Sequence, residues 1–122
     1  MNNHLAIPVK DLEGSKKFYE KLGFKVFNRW EKPHQMLKAL LMQDNSGYKI
    51  ELVYHPTNKE LAFPKITEVQ HLGIAVTNLE EKIKELQKGG IEVAIPITKG
   101  VSVKQFAFIK DPNGFPIELV EY

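Results

Sequence analysis

Two histidines and two glutamates recur at one spacing along this chain of 122 residues. His4 opens the run HLAIPVKDLE and His71 opens HLGIAVTNLE, while Glu51 sits in GYKIELVY and Glu118 in GFPIELVE. Both pairs are 67 residues apart, as 71 minus 4 and 118 minus 51. Side chains alternate across a strand, so His4 shares a face with Ala6 and Pro8, and His71 with Gly73 and Ala75. The bulky Leu5, Ile7, Val9 and Leu72, Ile74, Val76 take the other face, toward the helices. Small neighbours leave a hollow before each imidazole, which is how a pocket reads in sequence. A carboxylate flanked by Ile and Leu is costly to bury unless it is paired or bound to a cation, and two converging carboxylates repel each other. A divalent cation meets both demands. Two neutral imidazoles and two carboxylates offer four N/O ligands, leaving roughly one or two positions for water or substrate. Lacking thiolates, the set suits Zn, Ni, Co, Mn or Fe(II), and the Irving–Williams order does not choose among them.

The elements that position these residues repeat with them. Leu12/Leu79, Glu13/Glu80, Lys17/Lys84, Lys21/Lys88, Gly23/Gly90 and Val26/Val93 coincide at the same offset, so the halves align without a net insertion. Each half opens with a short alternating strand and continues into a helix. Asp11 and Asn78 are suited to cap those helices, Glu81 completes a capping box with Asn78, and Gly23 and Gly89-Gly90 end them. Three strand-type stretches follow in each half: FKVFNRW, QMLKALLM and YKIELVY, then IEVAI, VKQFAFI and PIELVEY. Asp44-Asn45-Ser46-Gly47 and Asp111-Pro112-Asn113-Gly114 mark matching hairpin turns. The pattern predicts one domain of two βαβββ modules, residues 1–55 and 71–122, joined by a connection over 56–70 that carries Pro56 and Pro64.

Composition bounds the partners. With 43% hydrophobic and 26% charged residues the chain should bury a core, and a net charge of +2 gives no footing for nucleic acid or an anionic membrane. The chain has no cysteine, which excludes disulfides, thiolate metal sites and a cysteine nucleophile. No apolar run approaches membrane-spanning length, and Lys10 and Asp11 interrupt the N-terminus too early for a signal peptide, so a cytoplasmic protein is expected.

Paired βαβββ modules with His4, Glu51, His71 and Glu118 at matching places resemble the vicinal oxygen chelate superfamily of glyoxalases, bleomycin resistance proteins and dioxygenases, across the whole chain. Within it, HLAIPVKDLEGSKKFYEKLGF, HLGIAV and FIKDPNGFPIELVEY are most similar to bacterial glyoxalase I, the lactoylglutathione lyases. The resemblance implies an α+β fold whose curved mixed sheets surround a metal-binding cavity, with His4, Glu51, His71 and Glu118 as ligands. It implies a homodimer, with each site built within one chain or shared between two. It also implies metal-dependent isomerisation of a hemithioacetal, formed from a 2-oxoaldehyde such as methylglyoxal and a thiol, through an enediolate, with Glu118 moving the proton.

Relatives with other activities differ at these positions. Fosfomycin-inactivating thiol transferases have no acid at the place of Glu51, methylmalonyl-CoA epimerases usually have glutamine there, and extradiol dioxygenases are longer and use three ligands. A metal-dependent epimerase or isomerase is the alternative enzyme, and a metal-free drug-sequestering module the alternative outside catalysis. The chain also departs from glutathione-using glyoxalases. Pro8 lies in the stretch where those enzymes carry an arginine, His55 replaces an asparagine, and Arg29 is the only arginine, so the thiol stays open. Arg29, Lys99 and Lys104 are the cations that could hold an anionic substrate end. Trp30, Phe106 and Phe108 read as packing residues, and neither His34 nor His55 reads as a ligand.

Overall fold

Alternating apolar residues and well-capped helices give each copy of the repeat its own βαβββ unit. The computed structural model describes residues 3–62 and 71–122, and the chain divides into two compact units, Met1–Ala62 and Phe63–Tyr122. In the first, β1 (Leu5–Val9) leads into α1 (Leu12–Lys21), then β2 (Lys25–Lys32), β3 (Leu37–Gln43) and β4 (Lys49–Tyr54). In the second, β5 (Leu72–Ala75) leads into α2 (Leu79–Lys88), then β6 (Val93–Lys99), β7 (Gln105–Lys110) and β8 (Pro116–Glu121). Each unit holds one four-stranded mixed sheet, ordered β1-β4-β3-β2 in the first and β5-β8-β7-β6 in the second. This is the α+β architecture expected from the repeat.

In both units the first and last strands run parallel while the remaining neighbours are antiparallel. A parallel partner cannot be reached by a hairpin, and the chain between the two strands includes a helix in each unit. Ten residues make a helix too short to persist alone, so caps and a buried face must hold it. The Asp11 side chain accepts from Gly14 N, and that of Asn78 from Glu81 N. Asn78 Nδ2 also lies 3.3 Å from Glu81 Oε2. Helix α1 buries Phe18 and Tyr19, and α2 buries Leu79, Ile83 and Leu86. Ile7, Val9, Met42, Ile50 and Leu52 complete the first core; Leu72, Ile109, Ile117 and Leu119 belong to the second. Gly23 and Gly90 follow the helices at φ of +96° and +85°, where a side chain would be strained.

Local geometry departs from the sequence reading at Leu5 and at the starts of β3 and β7. Leu5 is 39% exposed at the open end of edge strand β1, although its alternation assigned it to the core. Strand β3 starts at Leu37 because Pro33–Gln35 close a 3-10 turn that ends with Met36 at φ +54°. Strand β7 starts at Gln105 after a run of bends. Both β2 and β6 carry register shifts, at Val26/Asn28 in the first and on either side of Ile95 in the second. Of the expected connection, Pro56–Glu60 form a 3-10 helix, while 63–70 lie outside the described residues. Asn58 holds that helix against the first sheet by donating to Val9 O and Val53 O, 3.0 Å each. Among the described residues no helix is long and apolar enough to cross a membrane.

The two hairpin turns share a fold but differ in burial. Asp44 Oδ1 accepts from Ser46 N and Tyr48 N, and Asp111 Oδ1 from Asn113 N and Phe115 N at 2.8 Å each. Asp111 is only 4% exposed. Asp111→Ala, which strands those amides away from water, should therefore cost about 2 kcal/mol, and Asp44→Ala less, as read from urea denaturation midpoints. A second stabilising contact has no counterpart in the first unit, where Tyr54 occupies the equivalent place. Glu121 Oε1 accepts from Gln105 Nε2 at 2.8 Å and from Leu79 N at 3.2 Å. The Gln105 bond, followed by the Leu79 amide, holds its carboxyl below the usual 4.5. A carboxyl lowered on folding stabilises above its unfolded pKa and loses that effect as pH falls through the folded one. Glu121→Gln should therefore destabilise the protein at pH 7, and its deficit against the wild type should close as pH is lowered from about 4.5 in a denaturation series.

Candidate metal centre

Parallel pairing brings each histidine beside its glutamate. His4 and His71 occupy the positions just before β1 and β5, two residues ahead of Ala6 and Gly73. Those small residues pair directly with Glu51 and Glu118 across the parallel ladders. As a result His4 Nε2 lies 3.4 Å from Glu51 Oε1, and His71 Nε2 lies 3.5 Å from Glu118 Oε1. The first pair is the more uneven in exposure, with His4 at 42% and Glu51 at 16% of the side-chain surface, against 26% and 24% in the second. On their antiparallel side the glutamates pair with Leu41 and Phe108, again equivalent positions of the repeat. No atom of the described residues lies within 4 Å of where a Cβ on Gly73 would stand, so that position is open among them, as the small residue suggests.

Both separations exceed the usual N···O hydrogen-bond range; the first falls within, and the second just beyond, the spacing of two ligands on one ion. A nitrogen and an oxygen sharing a proton prefer about 2.7–3.2 Å. Two ligands held on one ion by bonds of about 2.1 Å stand about 3.0–3.4 Å apart, depending on whether the angle between them is right or tetrahedral. The donor set also fits, since imidazole nitrogen and carboxylate oxygen together suit first-row divalent ions. Among the described residues no three or more such side chains gather into one group; each unit holds one imidazole–carboxylate pair.

The two pairs are supported differently. Among the described residues His71 Nδ1, which is buried, has no hydrogen-bond partner, and the ring stands edge-on to Phe108 at 5.4 Å and 75°. Aromatic packing therefore sets the tilt of this imidazole, in a place where metal-binding histidines usually use a hydrogen bond. Glu51 instead receives a bond that the sequence reading missed. Trp30 Nε1 donates to Glu51 Oε2 at 2.7 Å. Trp30 is half-buried and bonded to a candidate ligand, which corrects its reading as simple packing. The available signal was the need of a partly buried indole for an acceptor, on a strand of the same module as Glu51.

Other residues singled out by chemistry fall elsewhere. Arg29 pairs with the buried Leu40, one position away from Trp30 in β2, so it projects to the face opposite Glu51. Lys104 Nζ sits 3.4 Å from Glu121 Oε2, and Lys99 is exposed at the end of β6. His55 accepts from Thr57 N as the cap of the Pro56–Glu60 turn, and His34 lies exposed in the Pro33–Gln35 turn. Phe108 is core at 2% exposure, while Phe106 is only half-buried beside it, ring centroids 6.0 Å apart. A cavity of about 520 Å³ opens beside His4, lined by Asn3, Leu5, Tyr48 and Lys49 together with the Ser46-Gly47 turn. Leu5 is exposed because it forms part of that wall.

Comparison with known proteins identifies the family and the fold. The sequence model of the Glyoxalase/Bleomycin resistance protein/Dioxygenase superfamily matches residues 2–119. Protein YwkD of Bacillus subtilis is 35% identical over 121 residues, covering 98% of this chain and 94% of its own length. The lactoylglutathione lyase of Escherichia coli O157:H7 is 31% identical over 127 residues, covering 97% and 90%. The solved structure of the trypanothione-dependent glyoxalase I of Leishmania major superposes with a TM-score of 0.77 at 29% identity, over 97% of this chain and 84% of that one. Since the family match spans nearly the entire sequence, and the paired modules carry the same fold, the chain belongs to the glyoxalase/bleomycin resistance protein/dioxygenase superfamily.

Proposed function

We propose that this protein is a divalent-metal-dependent lyase of the glyoxalase I type, acting as a homodimer on the hemithioacetal of a 2-oxoaldehyde and a thiol. The observation that carries the reading is the doubled imidazole–carboxylate contact, His4 with Glu51 at 3.4 Å and His71 with Glu118 at 3.5 Å. A structural role for the duplication requires repeated cores, which each unit has, but gives no reason to repeat two polar pairs off the core. The 31% identity to a lactoylglutathione lyase supports the same class.

His4, Glu51, His71 and Glu118 would hold the ion, with the two carboxylates balancing its charge. When bound, the ion supplies Lewis acidity that lowers the cost of negative charge on the substrate oxygens. Glu118 takes the proton from the carbon bearing the sulfur and returns it to the neighbouring carbon, so the isomerisation consumes and releases nothing. A carboxylate is suited to this step only if an oxygen is free to leave its partner, and Glu118 accepts no hydrogen bond from a donor among the described residues. His4 lines the cavity with Leu5, Tyr48 and Lys49, which offers an apolar wall and one cation to the substrate.

Elemental analysis of metal-soaked protein should find close to one equivalent of divalent metal per site; less than a tenth of an equivalent would favour a sequestering module. Ultraviolet assays of the loaded enzyme with methylglyoxal, run with glutathione, with other low-molecular-weight thiols and without thiol, should show turnover with at least one thiol. Inactivity throughout would move the assignment to an enolate-forming isomerase. At saturating metal, Glu118→Gln should lower kcat by about 100-fold or more, and full turnover in that variant would refute its role as base.

A further inference from the structure

The two glutamates are equivalent by repeat but not by environment. Trp30 Nε1 donates to Glu51 Oε2 at 2.7 Å, which leaves Oε1 as the oxygen facing His4 Nε2. The indole reaches this position along one face of the sheet. Trp30 in β2 pairs with Ala39 in β3, which pairs with Val53 in β4, two residues from Glu51. Ala39 is 2% exposed despite lying on the face away from the helix, as expected if the broad ring covers it. Lys32 Nζ stands 5.4 Å from the ring centroid and adds a cation–π contact that holds the ring in place. At the corresponding position of the second unit stands Ile97, which has no proton to donate.

From this asymmetry we infer that Trp30 is a positioning residue for metal binding: its N–H occupies one oxygen of Glu51 and presents the other, alone, as a single-oxygen ligand beside His4. The inference rests on the metal reading proposed above. It assigns the duplicated carboxylates different tasks. Glu51, with one oxygen committed to a fixed donor, is the static ligand. Glu118, with neither oxygen committed to such a donor among the described residues, keeps the freedom that proton transfer needs. The duplication thus supplied two identical pairs, and one added indole separates them.

Trp30 is the only tryptophan, so a ¹⁵N-labelled sample shows a single indole N–H resonance that reports this bond directly. In the metal-free protein that resonance should lie in the shifted range of a charge-assisted bond and should move on Glu51→Gln while staying in place on Glu118→Gln. Isothermal titration with Zn(II) should show Trp30→Phe weakening binding by about 10- to 100-fold, the usual effect of losing an outer partner of a ligand. Wild-type affinity in Trp30→Phe, with the wild type itself binding Zn(II), would overturn the positioning role and leave the metal reading standing. A silent Zn(II) titration of the wild type would remove the metal reading and this inference together. An indole resonance unmoved by Glu51→Gln would overturn the inference even if Trp30→Phe did not fold.

Discussion

Parallel pairing between the first and last strands of each unit is the constraint from which the rest follows. It fixes Ala6 opposite Glu51 and Gly73 opposite Glu118, and so sets a histidine two residues upstream within reach of each acid. It also dictates the connection, because a strand can return parallel to its partner only after crossing over, and helices α1 and α2 lie in that crossover. The small residues at the contact fit the same geometry. At Gly73 no described atom lies within 4 Å of where a Cβ would stand, so the strand presents open space beside the His71–Glu118 contact.

Much of this was legible in the sequence because duplication makes the chain its own alignment. The turn residues, the helix caps and the succession of strand and helix each appear twice, and a feature that appears twice at one offset is distinguishable from chance. The contact between His4 and Glu51 was legible for that reason, although the residues are far apart in the chain. Features present in only one unit had no such signal. The Trp30–Glu51 bond links two strands across a third, and nothing in β2 alone distinguishes an indole that packs from one that donates to an acid. Leu5 obeys the alternation of a core residue and yet is exposed, because burial at a strand end depends on what stands over it. The register shifts in β2 and β6 likewise depend on how each strand meets β3 or β7, not on its own residues.

What duplication equalised, later single differences have separated. Phe108 stands where the first unit has Leu41, and it orients His71 by ring packing. Tyr54 stands where the second unit has Glu121, which ties β8 to the start of α2 and to β7. Trp30 stands where the second unit has Ile97. Each change adds one directional contact to one half while the backbone scaffold stays common, so a symmetric frame carries an asymmetric set of side-chain tasks.

The outer margins of the two sheets show a further use of the same frame. An unpaired strand edge is a template on which another chain can add, and β2 and β6 each form such a margin. In β2, Lys25, Arg29, Glu31 and Lys32 place charge along the rim, and in β6, Pro96 and two register shifts interrupt the row of backbone donors. Both devices disfavour the addition of a further strand along these edges, so the margins of the sheets are poor templates for flat stacking.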